Sequence, residues 1–287
     1  MQCCREEDPH YGHSWNLLRR LISKRVMYNF FIQAYSTYKG LFYWLQWISY
    51  VSNVVLFPIA YILMYSFLGR FARNPEVAQE YALGIAGYSM AFIIVGGITQ
   101  SYTRDRQLGT ISFLFISTAN RLMNFLSRVV FHYPNALLCF VSALFGAWVI
   151  VGLSFGSVNW TGFIIAVLVV AASLTAYAQL MGIFSIVSRN WIGVLSIGNA
   201  ILFILCGAII PITVFPDFIE EFARLLPMTN GLFAIRETFA GAPLSQVSGN
   251  IVREFLTCLG YYTLGYLGFL LFERVAKRRG TLELEAF

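Results

Sequence analysis

His10 and His13 stand three residues apart in a polar amino-terminal stretch that also holds Cys3 and Cys4. Only the His-x-x-His pair has the spacing of a metal site. A tight site needs four ligands on a folded frame, so no metal centre is expected. Cys139, Cys206 and Cys258 fall inside apolar runs and read as reduced packing residues. Nucleotide hydrolysis would call for a Gly-x-x-x-x-Gly-Lys-Ser/Thr loop, and none of the lysines, Lys24, Lys39 and Lys277, lies in one. No pair of carboxylates falls mid-run for intramembrane hydrolysis. No charged residue there marks an ion-coupled path either. No catalytic residue is expected, and energy for any transport must come from elsewhere.

The charges that remain are sorted. Arg104, Asp105 and Arg106 follow a stretch, residues 81–103, without a single charge, and after Arg128 the next is Arg189. The island 104–121 must therefore lie at a water-exposed face between apolar segments. Gly109 can take backbone angles closed to other residues and Thr110 can cap, so the pair is read as opening a short helix. On it Ile111, Leu114 and Phe115 share one face.

Elements of one kind are needed to position such a loop. At 58% hydrophobic and 12% charged residues, with a mean hydropathy of +0.66, the chain is an all-α membrane protein with no room for a separate soluble domain. The net charge of +6 does not point to nucleic acid, because the bases gather at span ends. Residues 1–14 form a polar tail, and 15–40 an interfacial connecting helix, with Trp15, Leu18, Ile22, Val26 and Phe30 recurring among basic residues. Residues 41–273 form a domain of six transmembrane helices, within 41–68, 81–102, 129–151, 163–187, 191–210 and 251–272, and 274–287 are a second tail. Pro58 cannot donate to the Val54 carbonyl and should bend the first span.

Residues 211–250 are too broken by Pro and Gly to cross and form an outer re-entrant amphipathic hairpin before the last span. Pro216 suits a first helical turn, and Phe218, Ile219, Phe222 and Leu225 share a face. Thr229 can cap the next helix and Gly241 can end it after Phe239. Arg253 and Glu254 are read as pairing with each other or meeting headgroups. Six spans put both termini on one side. That side carries 15 bases and the other five, with seven acids on each, so both termini are placed in the cytoplasm. Asn53, Thr175, Tyr177, Gln179, Ser196 and Asn199 within spans read first as interhelical hydrogen-bond partners.

The charged run, Gly109-Thr110 and apolar helix resemble the loop after the second span of ABC-2 type ABC transporter permeases. Phe57-Pro58-Ile59 and Phe67-Leu68-Gly69 resemble the family's first span. The order Gly207, Pro211, Phe215-Pro216, Leu226-Pro227-Met228-Thr229 and Arg236 resembles its outer hairpin. The resemblance implies that Arg104, Asp105, Arg106, Gly109, Thr110, Ile111, Leu114 and Phe115 dock on a cytoplasmic ATPase. It also implies that Asn53 and Asn199 border the pathway in a dimer. Phe218, Phe222 and Phe239 are expected to pack inward as an outer gate. Two ATPase copies, carrying ATP and Mg, and a second permease subunit, identical or related, are the implied partners alongside membrane lipids. The implied activity is outward export of an amphiphilic drug, antibiotic, peptide or lipid-like substrate across the plasma (inner) membrane. Export of a lipid-linked polysaccharide, or a non-transporting six-span structural or signalling protein, are the rival readings.

Overall fold

The computed structural model describes residues 27, 28, 30–32, 34–36, 39, 47–71, 75–109, 121–188 and 190–279. Among them there is no strand. The expected tail 1–14, most of the connecting helix, Thr110 to Asn120 and the second tail lie outside the described residues or at their edge.

Helix α1 (Trp47–Val51) runs into a π turn (Ser52–Leu56) and on into α2 (Phe57–Phe71). Pro58 explains the turn. It removes the amide that would bond to Val54, the helix widens so that the Phe57 amide reaches the Ser52 carbonyl, and the Val54 carbonyl accepts instead from Ser142 Oγ at 2.7 Å. The expected disturbance is found one turn before the proline, with its freed carbonyl satisfied by a neighbouring helix.

Then follow α3 (Pro75–Gln107), a short α4 (Arg121–Ser127), α5 (His132–Val151), α6 (Trp160–Val187) and α7 (Trp191–Leu205). A 3-10 turn, Ile212–Val214, leads to the hairpin helices α8 (Asp217–Leu225) and α9 (Thr229–Phe239), and α10 (Leu244–Arg279) closes the described chain. Among the described residues four stretches are long and apolar enough to cross a membrane: Gln79–Gln107, Leu122–Val151, Trp160–Val187 and Leu244–Val275. Two shorter apolar helices, Ser52–Tyr65 and Trp191–Leu205, stand where the first and fifth spans were expected. The fifth stops early because Gly207, at φ +75°, turns the chain out of helical geometry.

Helices α3 and α6 form the centre. The first packs on α2, α5, α6 and α7, the second on α3, α7, α9 and α10. Lipid tails are as apolar as leucine, so what draws such helices together is close packing, and both present small residues for it. On α3 these are Ala82, Gly84, Ala86, Gly87 and Ala91, and on α6 Ala166, Ala171, Ser173, Ala176, Ala178 and Gly182, all buried. A methyl group at Gly182 would stand 2.2 Å from the Tyr102 ring. Hydrogen bonds add to the packing. Thr175 Oγ1 lies 2.7 Å from the Tyr262 hydroxyl, Tyr177 donates to the Gly198 carbonyl at 3.1 Å, and Tyr102 donates to Gln179 Oε1 at 2.6 Å. Three of the polar residues singled out in the spans thus join helices, as their chemistry suggested.

Candidate functional site

At the end of α3, Arg104 and Arg106 fall in the last turn, where cations complement the helix dipole. Gly109, at φ +67°, receives its place by ending this helix, with its amide on the Arg106 carbonyl at 3.1 Å. The short helix expected to open at Thr110 lies outside the described residues. Only glycine adopts this left-handed angle at little cost, and the preceding helix uses it as a stop. Thr110, Ile111, Leu114 and Phe115 lie outside the described residues.

Arg106 and Asp105 both make contacts within the chain. Arg106 donates to the carbonyls of Ile186 and Ser188 at 2.9 and 2.6 Å, tying down the end of α6. Asp105 pairs with Arg128, whose guanidinium is buried, donates to Ser101 Oγ at 3.2 Å and lies 4.1 Å over the Tyr102 ring. Tyr102 passes the network to Gln179, which donates to the Phe125 carbonyl at 2.5 Å. The arrangement joins α3, α4 and α6 at the end of the bundle where the chain leaves α3.

Asn53 sits in the π turn and lines a cavity of about 150 Å³ with Tyr50, Gln100, His132 and Asn135. The Tyr50 hydroxyl donates to Asn135 Oδ1 there at 2.8 Å. Asn199 is on α7, buried, and does not line this cavity, so the structure does not bring the two asparagines into one site. Its Oδ1 has no hydrogen-bond partner among the described residues.

The hairpin is pinned to the bundle by a residue that sequence reading placed in the headgroups. Glu254 is fully buried. It accepts from the amides of Met228 at 2.7 Å and Gly231 at 2.9 Å, and from Ser173 Oγ on α6. Met228 takes the left-handed region at φ 77°, which aims these amides at α10. Glu254 therefore caps α9 in place of Thr229, whose Oγ1 has no hydrogen-bond partner among the described residues. The expectation that no charged side chain is buried in the spans is corrected by Glu254, Arg128 and Glu273. Glu254 and Arg128 escape exposure to hydrocarbon by meeting several donors or acceptors.

On the far side, Arg236 donates to the carbonyls of Gly207 at 2.9 Å, Ala208 at 3.3 Å and Glu80 at 3.3 Å. Gly84 admits this contact, since a methyl group there would stand 1.8 Å from the Ala208 carbonyl oxygen. Burial pulls the Arg236 guanidinium below its ordinary range, against the pull of Glu80. Asn159 completes the fastening. It caps α6 through Gly162 at 3.4 Å and donates to the Ala242 carbonyl at 2.9 Å.

Of the three expected gate residues, Phe239 alone packs inward, with ring centroids 5.6 Å from Phe155 and 6.0 Å from Phe163. Phe218 and Phe222 are exposed. Helix α8 buries its Ala223 side, and Phe218, Phe222 and Leu225 on its other face are exposed.

The family model for ABC-2 family transporter proteins matches residues 73–267, from the start of α3 through the hairpin into α10. The chain belongs to this family. No curated protein matches it by sequence. An ABC-2 protein is a membrane-embedded component of an ABC transporter, and membership implies an ABC ATPase as partner. The hairpin motif of this ABC-2 chain now has physical reasons: Gly207 for its left-handed angle and Arg236 for three carbonyls. The segment Gly152-Leu153-Ser154-Phe155-Gly156 has nucleophile-elbow spacing, but it forms the turn between α5 and α6 rather than a strand-to-helix turn. His132, the described histidine, is at the opposite end of α5 from Ser154.

Proposed function

We propose that this chain is the permease subunit of an ATP-driven exporter that moves an amphiphilic substrate outward across the plasma membrane. Two such subunits, identical or related, would sit on two ATPase copies that bind ATP and Mg, and this chain would itself hydrolyse nothing. The two shorter apolar helices complete six crossings in this reading, with both termini in the cytoplasm. The excess of bases at the Arg104 end supports that orientation.

The observation that carries the reading is the family match, which spans both the end of α3 and the outer hairpin. A chain of contacts between the two ends supports the reading. The loop after α3 leaves from the Asp105, Arg128, Tyr102 and Gln179 network, and that network reaches α6, against which Glu254 holds the hairpin. Movement at the ATPase side has a continuous packed route to the outer side.

The test is copurification of the ATPase with Leu114→Asp, which sets a carboxylate in the apolar face read as the docking contact. Loss of a central anchor costs about 2 kcal/mol or more, over tenfold in affinity. ATPase association and turnover at the wild-type level would refute docking through this loop.

A further inference from the structure

A second surface lies at the hairpin end, on the side of α10 away from the core. Helix α10 is the least covered of the four spans: 17% of its apolar stretch is buried, against 78% in α3. Between it and α8 runs a groove of about 690 Å³. Its α10 wall is a stripe along one helix face, Arg253, Leu256, Thr257, Gly260, Tyr261 and Leu264, at the i, i+3, i+4, i+7, i+8 and i+11 spacing. Phe222 and Leu225, the exposed face of α8, form the opposite wall.

The stripe has a charged head and a mostly apolar body, in which the Thr257 hydroxyl donates to the Arg253 carbonyl at 3.0 Å and Tyr261 presents its ring. From Arg253 to Leu264 it extends about 16 Å along the helix, close to the hydrocarbon depth of one leaflet. Arg253 is exposed, and among the described residues no carboxylate pairs with it; its neighbour Glu254 points to the other side, into the core. Arg224, also lining the groove, is already paired with Glu220 at 2.7 Å. The remaining positive charge at the head is therefore that of Arg253. A guanidinium binds phosphate through parallel hydrogen bonds and is less strongly hydrated than an ammonium, which suits it to the membrane boundary.

We propose that this groove binds an anionic phospholipid, with the phosphate on Arg253 and one acyl chain laid along Leu256, Gly260 and Leu264 against Phe222 and Leu225. The bound lipid covers the apolar face of α8 and couples the hairpin to the surrounding leaflet. This needs only the chain's place in a membrane and is independent of what the transporter carries.

The test is native mass spectrometry of the full-length protein released from micelles titrated with phosphatidylglycerol or with phosphatidylcholine of the same chains. The wild type should retain phosphatidylglycerol in preference. Arg253→Gln should weaken that retention roughly tenfold while leaving phosphatidylcholine unchanged. Gly260→Phe fills the groove and should reduce both lipids; a side chain at Gly260 begins in open space, so the fold tolerates it. A photoactivatable phosphatidylglycerol should label peptides of α8 and α10. Equal retention of the two lipids by the wild type, undiminished phosphatidylglycerol on Arg253→Gln, or displacement by millimolar inorganic phosphate alone would overturn the site. So would a cysteine at 253 that cross-links to a second copy of this chain.

Discussion

The Glu254 carboxylate, on the last helix, and the Met228 amide, in the hairpin, are joined by a 2.7 Å hydrogen bond in the interior of the protein. Met228 is the described non-glycine residue with a positive φ, and this bond is what its backbone conformation secures. The contact makes the hairpin part of the bundle rather than a solvated loop.

Glu254→Leu should leave the Met228 and Gly231 amides without an acceptor, at about 1–3 kcal/mol for each buried donor. Glu254→Gln keeps one acceptor oxygen and should lose less. Thermal unfolding of the detergent-solubilised protein, with proteolysis of the hairpin as a second readout, checks the order: wild type, then Gln, then Leu. A Leu variant as stable and as protease-resistant as wild type would show that the carboxylate holds nothing.

The buried pair at the other end predicts an asymmetry. Asp105→Ala leaves Arg128 buried without its counter-charge and should destabilise by about 3 kcal/mol or more. Arg128→Met leaves the more exposed Asp105 able to reach water and should cost less. A double-mutant cycle on unfolding free energies tests this, and additive effects would mean the two groups do not interact.

Helix α2 offers a test of how a proline is accommodated. Ser142→Ala should cost about 1 kcal/mol because Val54 loses the donor that Pro58 cannot supply. In a Pro58→Ala background the new amide can bond to the Val54 carbonyl, so the same serine substitution should cost less. Equal costs in both backgrounds would show that Ser142 does not compensate for the proline.

The fold class was legible because long apolar runs admit only helices once backbone groups must be satisfied internally. Pro58, the two hairpin helices and the roles of Thr175, Tyr177 and Gln179 could also be read, since each follows from local chemistry. Glu254 could not. It stands beside Arg253 near the start of the apolar run, where the two together look like a headgroup pair, but α10 begins at Leu244 and places Glu254 about three turns in. Burial of one and exposure of the other then follows from their adjacent positions on a helix, which point in different directions. Gly109 takes the left-handed angle expected of it, and its part in ending α3 was not legible because a glycine beside a threonine can end one helix or begin another. Phe218 and Phe222 share a face, as the spacing indicated, but periodicity does not say which way a face turns.

The central claim is that this chain forms an ATP-driven pathway. Its most direct test is ATP-dependent accumulation of a fluorescent amphiphile in inside-out membrane vesicles containing this chain and its copurifying ATPase. The account predicts uptake that requires both proteins and ATP, and that is lost when the Walker lysine of the ATPase is replaced. Failure of any ATPase to copurify, or uptake unchanged by that replacement, would contradict it.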